Sequence, residues 1–146
     1  MAAYSFLDVN ATLVGAGAVI DLGAGSGNGE EGITVTQTNA RNTVTIGADG
    51  EGMHSLSGDK SGTVTIRLLQ TSPVNAKLMA LYDAQTLSSS VWGQNVITIT
   101  NSASGDAIGC RSCAFQKRPE LNYKKDGGVV EWVFDALKID AILGTY

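Results

Sequence analysis

Residues 62–85 read GTVTIRLLQTSPVNAKLMALYDAQ, and two periodicities meet inside them. Thr63, Thr65 and Arg67 alternate with Val64, Ile66 and Leu68, the period of two that turns one face of a strand to water and the other to a core. Past Ser72-Pro73 the spacing changes, and Val74, Leu78, Leu81 and Tyr82 fall on one side of a helix. Ser72 is a good N-cap, and Pro73 suits the first helical position, where its missing N–H has no partner to lose. The spacing predicts a helix over 73–85 that packs through Val74, Leu78, Leu81 and Tyr82, with Asn75, Met79 and Asp83 on its other face. No other segment reads so clearly as a helix.

The rest of the chain reads as strands. In YSFLDVNATLV (4–14), Leu7, Val9, Ala11 and Leu13 share one face and Asp8, Asn10 and Thr12 the other. AVIDLG follows as a short strand, and GAGSGNGEEG (23–32) as a mobile loop. ITVTQT (33–38), the turn NARN and TVTIG (43–47) read as a hairpin. NVITITN (95–101) and AIGCRSCAFQK (107–117) pair back on one another across SASGD. VVEWVFDALKIDAIL closes the chain with Val130, Trp132 and Phe134 on one face and Val129, Val133 and Leu137 on the other. A strand apolar on both faces sits centrally or is covered, and the helix is the obvious cover. The expected fold is mainly β, a sandwich or small barrel of about seven or eight strands with one flanking helix.

Between the fourth strand and the opening stretch lies GADGEGMHSLSGDKSG, residues 47–62, glycine-rich and without periodicity. Such a length is unusual for a compact domain unless the loop has a function.

The chain has 146 residues, 43% of them hydrophobic, 18 of them glycine and two proline, which fits one β-rich domain spanning 1–146. Its net charge of −4 argues against binding to nucleic-acid phosphates. The charge is also unevenly placed. Residues 1–59 hold seven acids and one base, Arg41, whereas Arg111, Lys117, Arg118, Lys124 and Lys125 cluster within fifteen residues against Glu120. Unlike surfaces of this kind suit a head-to-tail contact between copies, and the five bases are the candidates for its basic side. No window approaches the roughly 18 to 20 apolar residues of a membrane span, and the N-terminus lacks the basic start and cleavage site of a signal peptide. The expectation is synthesis in the cytoplasm, with no membrane partner.

The residues offer little to catalysis. Cys110 and Cys113 form a CxxC within a strand pattern, where positions i and i+3 point to opposite faces, and two cysteines do not complete a zinc site. Gly23, Gly25, Gly27 and Gly29 alternate rather than following a nucleotide fingerprint, and Glu30-Glu31 would repel phosphate. His54, the single histidine, lies in the glycine-rich segment. No catalytic residue, cofactor or metal is expected.

The runs EEGITVTQT (30–38), IGADGEGMHSLSGDKSGTVTIRLLQTSPVNAKL (46–78), WGQNVITITN (92–101) and KDGGVVEWVFDALKID (125–140) resemble a tail tube protein of contractile-tailed bacteriophages. The strand–TSP–helix block is the most specific part. The resemblance implies a β-sandwich or barrel flanked by a helix. It implies six copies closing a ring in which neighbouring strands join around a lumen, and rings stacking into a tube. It further implies that genomic DNA passes through without specific binding, that a sheath surrounds the tube, and that baseplate and terminator proteins meet its ends. The protein would then reside in the virion tail, synthesised in the host cytoplasm. A tube terminator, a baseplate hub component or a type VI-like inner tube protein is the alternative. Within this frame Asp49, Glu51, Met53, His54, Asp59 and Lys60 are expected to meet the adjacent ring, and Asp8, Asn10, Glu131 and Asp135 are candidates to line the lumen.

Overall fold

A computed structural model describes residues 2–15 and 17–146. Its strands are β1 (Val9–Gly15), β2 (Ala18–Asp21), β3 (Asn28–Gln37), β4 (Asn42–Ile46), β5 (Gly52–Leu56), β6 (Gly62–Leu69), β7 (Asn95–Asn101), β8 (Asp106–Phe115) and β9 (Val129–Ile142). One helix, α1 (Val74–Gln85), follows β6. Seven strands form one antiparallel sheet in the order β2-β1-β7-β8-β9-β6-β3, and β4 pairs only with β5.

The sheet is curled, and a short crossing shows why. After β2 the chain runs back along β1, where Leu22 N–H donates to Ala11 O and Ala24 N–H to Val9 O. Three residues later Gly27 O accepts from Leu69 N–H, at the far end of β6. Three residues reach about 10 Å at most. A flat sheet would hold β1 and β6 about 19 Å apart, four strand spacings. The crossing is possible only because the sheet bends into a half-barrel. Gly23 permits the close run, since a Cβ there would stand 2.6 Å from Ala11 N.

The core lies on the concave face. Val64 faces Phe134 and Ile66 faces Trp132 across the β6–β9 ladder, and these side chains are buried together with Leu13, Ile97 and Phe115. Phe115 stacks edge-on or tilted against Tyr82, Trp92, Trp132 and Phe134. The helix closes the open side of the curl through buried Val74, Leu78 and Leu81, with Tyr82 partly buried beside them. Gln85 and Asn95, both buried, bond to each other through two amide contacts of 2.7 and 2.9 Å. Each satisfies a polar group whose isolation in the core would be costly.

At the helix start, Ser72 Oγ accepts the Val74 N–H at 3.3 Å and its hydroxyl donates to Ser26 O. Pro73 has helical angles (φ −67°, ψ −17°), and the assigned helix begins one residue later than expected. The other face differs more. Asn75 Oδ1 accepts from Trp132 Nε1 at 3.0 Å, and Met79 packs against the core. Each follows a buried residue by one position, which is 100° around the helix, and so flanks the packing stripe rather than opposing it.

Several strand expectations are corrected. Phe6–Asp8 is a single 3-10 turn, so Leu7 is exposed at 82% and Asp8 is not on a strand; the buried face starts at Val9. The stretch 23–32 is not all loop, since β3 begins at Asn28 and carries a register shift between Asn28 and Ile33. Residues 33–38 do not form a hairpin with 43–47. Ile33 and Val35 need apolar partners on the concave face and find Ile66 and Val64 on β6. β4 instead pairs with β5, within the stretch 47–62 expected as a loop. The second apolar face of β9 is not covered: α1 lies over the Trp132 side, and Val129 and Leu137 are exposed.

Both cysteines point into the core. A register shift between β7 and β8, with Ser112 at φ 53°, adds a residue to β8 and turns Cys110 and Cys113 to the same side. They are free, and burial pushes the thiols up to about 11 and about 12.

Replacing Leu78, fully buried under the curl, should separate packing from charge effects. Leu78→Ala is expected to cost about 2–5 kcal/mol, read from the denaturant midpoint, and Leu78→Asp to leave no folded subunit by circular dichroism.

Candidate assembly surfaces

The β4–β5 ribbon is exposed at every position. Facing pairs are Asn42–Leu56, Thr43–Ser55, Val44–His54, Thr45–Met53 and Ile46–Gly52. Because facing residues share a side, Val44, Ile46, His54 and Leu56 lie on one face, and Thr43, Thr45, Met53 and Ser55 on the other. Val44, Ile46 and Leu56 are 53%, 62% and 79% exposed. A two-stranded ribbon is marginal alone in water, and this one leaves its apolar side bare.

The six residues expected at a ring contact divide along the ribbon. Asp49 and Glu51 occupy the tip, where Asp49 Oδ1 accepts the Glu51 N–H at 3.1 Å and Gly50 has φ 88°. Met53 and His54 sit on opposite faces of β5. Asp59 and Lys60 belong to the base. Hydrogen bonds from Asn39 and Ser61 hold the Asp59 carboxyl down to about 2. Lys60 pairs with Asp140 at 3.3 Å, which holds that carboxyl below its ordinary range, with help from Arg111.

The five basic candidates also divide. Arg111 is on β8 and pairs with Asp140 at 2.6 Å, at the ribbon end of the sheet. Lys117, Arg118, Lys124 and Lys125 lie exposed in the connection between β8 and β9, residues 116–128. That connection is fastened at the opposite end of β6: Gln70 N–H donates to Gly128 O, Gln70 Nε2 to Asn122 O, and Gly128 N–H to Gln70 Oε1.

Asn10, Glu131 and Asp135 share the convex face of the sheet, but Asp8 lies in the turn before β1 and does not join them. Two of the three are engaged. Asp135 Oδ1 accepts from Gln116 Nε2 at 3.2 Å. Arg67 Nε lies 3.1 Å from Glu31 and 3.6 Å from Glu131, a contact of charge without hydrogen-bond alignment to either, and its Nη1 donates to Thr34. The Arg67 cluster escaped the sequence reading because it needs three strands brought side by side. The ribbon escaped it because GMHSL lacks a clean apolar alternation.

Two further features bear on assembly. β3 is a ten-residue edge of the main sheet, and β2 is a four-residue edge at the other side. A long unpaired edge in a free subunit is a template for another strand. Between β3 and the strands β1, β7 and β8 opens a cleft of about 640 Å³ with Val9, Ile99 and Ile108 on its floor and Tyr4 and Tyr146 at its mouth.

A family model described as the bacteriophage PhiTE tail tube protein matches residues 1–144. The chain belongs to this family. It is a structural subunit of a phage tail tube and a component of the virion tail. The fold is shared with three solved structures of low identity. One is the sheath/tube terminator of an extracellular contractile injection system, PVC, in its extended state (TM-score 0.66, 13% identity, 97% of this chain and 98% of that one). Another is the tube-terminating cap of the anti-feeding prophage (TM-score 0.60, 10% identity, 99% and 93%). A third is the PVC sheath–tube complex in the extended state (TM-score 0.57, 14% identity, 91% and 88%). No curated protein matches the sequence.

Exposure of the whole ribbon makes it a target of limited proteolysis, beside the irregular 116–128 connection with its exposed Tyr123. In free tube subunits chymotrypsin is expected to cut at Met53 or Leu56, and assembly to slow that cleavage at least tenfold, followed by mass spectrometry of the fragments.

Proposed function

We propose that this tail tube subunit closes into hexameric rings through its sheet edges, and that the rings stack through the β4–β5 ribbon. The observation that carries the reading is the ribbon itself, a projecting pair of strands with an uncovered apolar face. Heterologous contacts of this sort close a ring in one plane and propagate along an axis. The edge strands β2 and β3 would join neighbours into one barrel around the lumen. Six as the ring size rests on the resemblance described above.

The convex face would line the lumen. There the Arg67 guanidinium sits between two carboxylates, and Asp135 and Asn10 add no positive charge. Such a surface gives phosphates little to hold and lets a duplex slide. A sheath would surround the tube, and baseplate and terminator proteins would meet its ends; structures of likeness come from sheath–tube, cap and baseplate assemblies. One domain with no catalytic role fits this work.

The likeness to a terminator favours a second reading, a ring that ends a tube instead of extending one. Negative-stain microscopy of the purified protein separates the two: long hollow tubes are expected, and uniform single rings would favour the terminator. Replacing residues 43–55 by an Asn-Gly turn joins the facing positions Asn42 and Leu56 directly. The shortened subunit is expected to keep its fold and its rings but to make no long tubes. Tubes of ordinary length from it would remove the ribbon from stacking.

A further inference from the structure

Strand β6 carries opposite charge at its two ends. At the Gly62 end stands the ribbon, and within 42–58 its formally charged side chains are Asp49 and Glu51, both in the exposed tip. At the Leu69 end lies the 116–128 connection with Lys117, Arg118, Lys124 and Lys125 against Glu120 and Asp126. Among the described residues, none of these four cations and neither tip acid lies in an ion pair. At the ribbon base Arg41 donates to Ser57 O beside the Asp59 carboxylate, and Lys60 and Arg111 share Asp140. Five residues of strand place the tip about 16 Å beyond that base, about twice the screening length in physiological salt. Within one copy the tip acids are therefore left without partners, and so are the cations of the connection.

Apolar groups accompany both charges. The ribbon bares Val44, Ile46 and Leu56, and the connection bares Leu121 and Tyr123, 51% and 85% exposed. The two patches lie at opposite ends of one strand, so they do not meet within one copy, and a shift along the strand brings the tip of one copy to the connection of the next. We propose that the acidic ribbon tip of one copy seats on the basic 116–128 connection of the next copy along the tube, with the apolar residues of each covering the other's. This rests on the tube reading and names the surface that receives the ribbon. The polarity is fixed by the chain: like ends bring acid to acid or base to base, so copies add head to tail.

A charge exchange tests it. The ribbon variant Asp49→Asn with Glu51→Lys keeps an oxygen to accept the Glu51-position N–H and reverses the tip. The loop variant is Lys124→Glu with Lys125→Glu. Each variant is first checked for an unchanged thermal melt. Each is then expected to raise the critical concentration for tube elongation about tenfold or more, and 0.5 M salt is expected to raise that of the unaltered chain. A chain carrying all four substitutions restores complementarity at every contact and is expected to return to within about threefold of the unaltered value. Failure of the combined chain to recover would overturn the pairing, as would normal elongation by the loop variant. Tubes that lengthen normally in all variants would leave the tube reading standing and remove this contact alone. Absence of tubes from the unaltered chain would remove both.

Discussion

The Ser72 hydroxyl ties together parts of the chain that lie 46 residues apart. It accepts the Val74 N–H that opens the helix, and it donates to the Ser26 carbonyl in the crossing between β2 and β3. That crossing is too short to span a flat sheet, so the sheet must curl. A curled sheet has a concave side that a single short helix can close. The helix starts where the crossing ends, and one buried hydroxyl fixes both. Removing it would leave a carbonyl and an N–H in the interior without partners, a cost of about 1–3 kcal/mol for each.

The curl also determines what is left outside. Concave residues are spent on the core and helix, so the convex face, the two sheet edges and the ribbon are left exposed. These surfaces are unlike one another: an edge of ten residues against one of four, an acidic tip against a basic connection. Unlike surfaces of this kind are what the proposed head-to-tail assembly needs, since such contacts close a ring or propagate along an axis. The core supplies the stability of each copy, while in the proposed tube the exposed pieces, worth little singly, would act by number.

How much of this was legible in the sequence follows from the range of each interaction. The β6–turn–α1 block was readable because its signals are local: alternation in 63–68, a serine–proline start, and apolar residues three and four apart. Pairing was less readable. Which strand lies beside ITVTQT depends on Val64 and Ile66, some thirty residues on, and a nearer strand of similar composition misled the reading. The cysteines were misplaced because an extra residue in β8 reverses the facing that strict alternation assigns, and nothing in CRSC announces it. Charge asymmetry was visible as a count along the chain, yet Arg111 was grouped with bases that fold to the other end of the sheet. Short-range patterns survive translation into three dimensions; groupings by sequence neighbourhood fail wherever a strand carries its residues away.

The buried thiols bear on the lifetime of the particle. A virion leaves the reducing interior of its host and has no means of repair afterwards. A thiol whose pKa is about 11, like that of Cys110, exists as the reactive anion in roughly one molecule in ten thousand at neutral pH, and Cys113 less still. A tube contains many such pairs, and a single stray disulfide between copies would lock a joint that must form in register. By turning both sulfurs into the core, the extra residue of β8 leaves no thiol on the surface where the thiol of another copy could reach it.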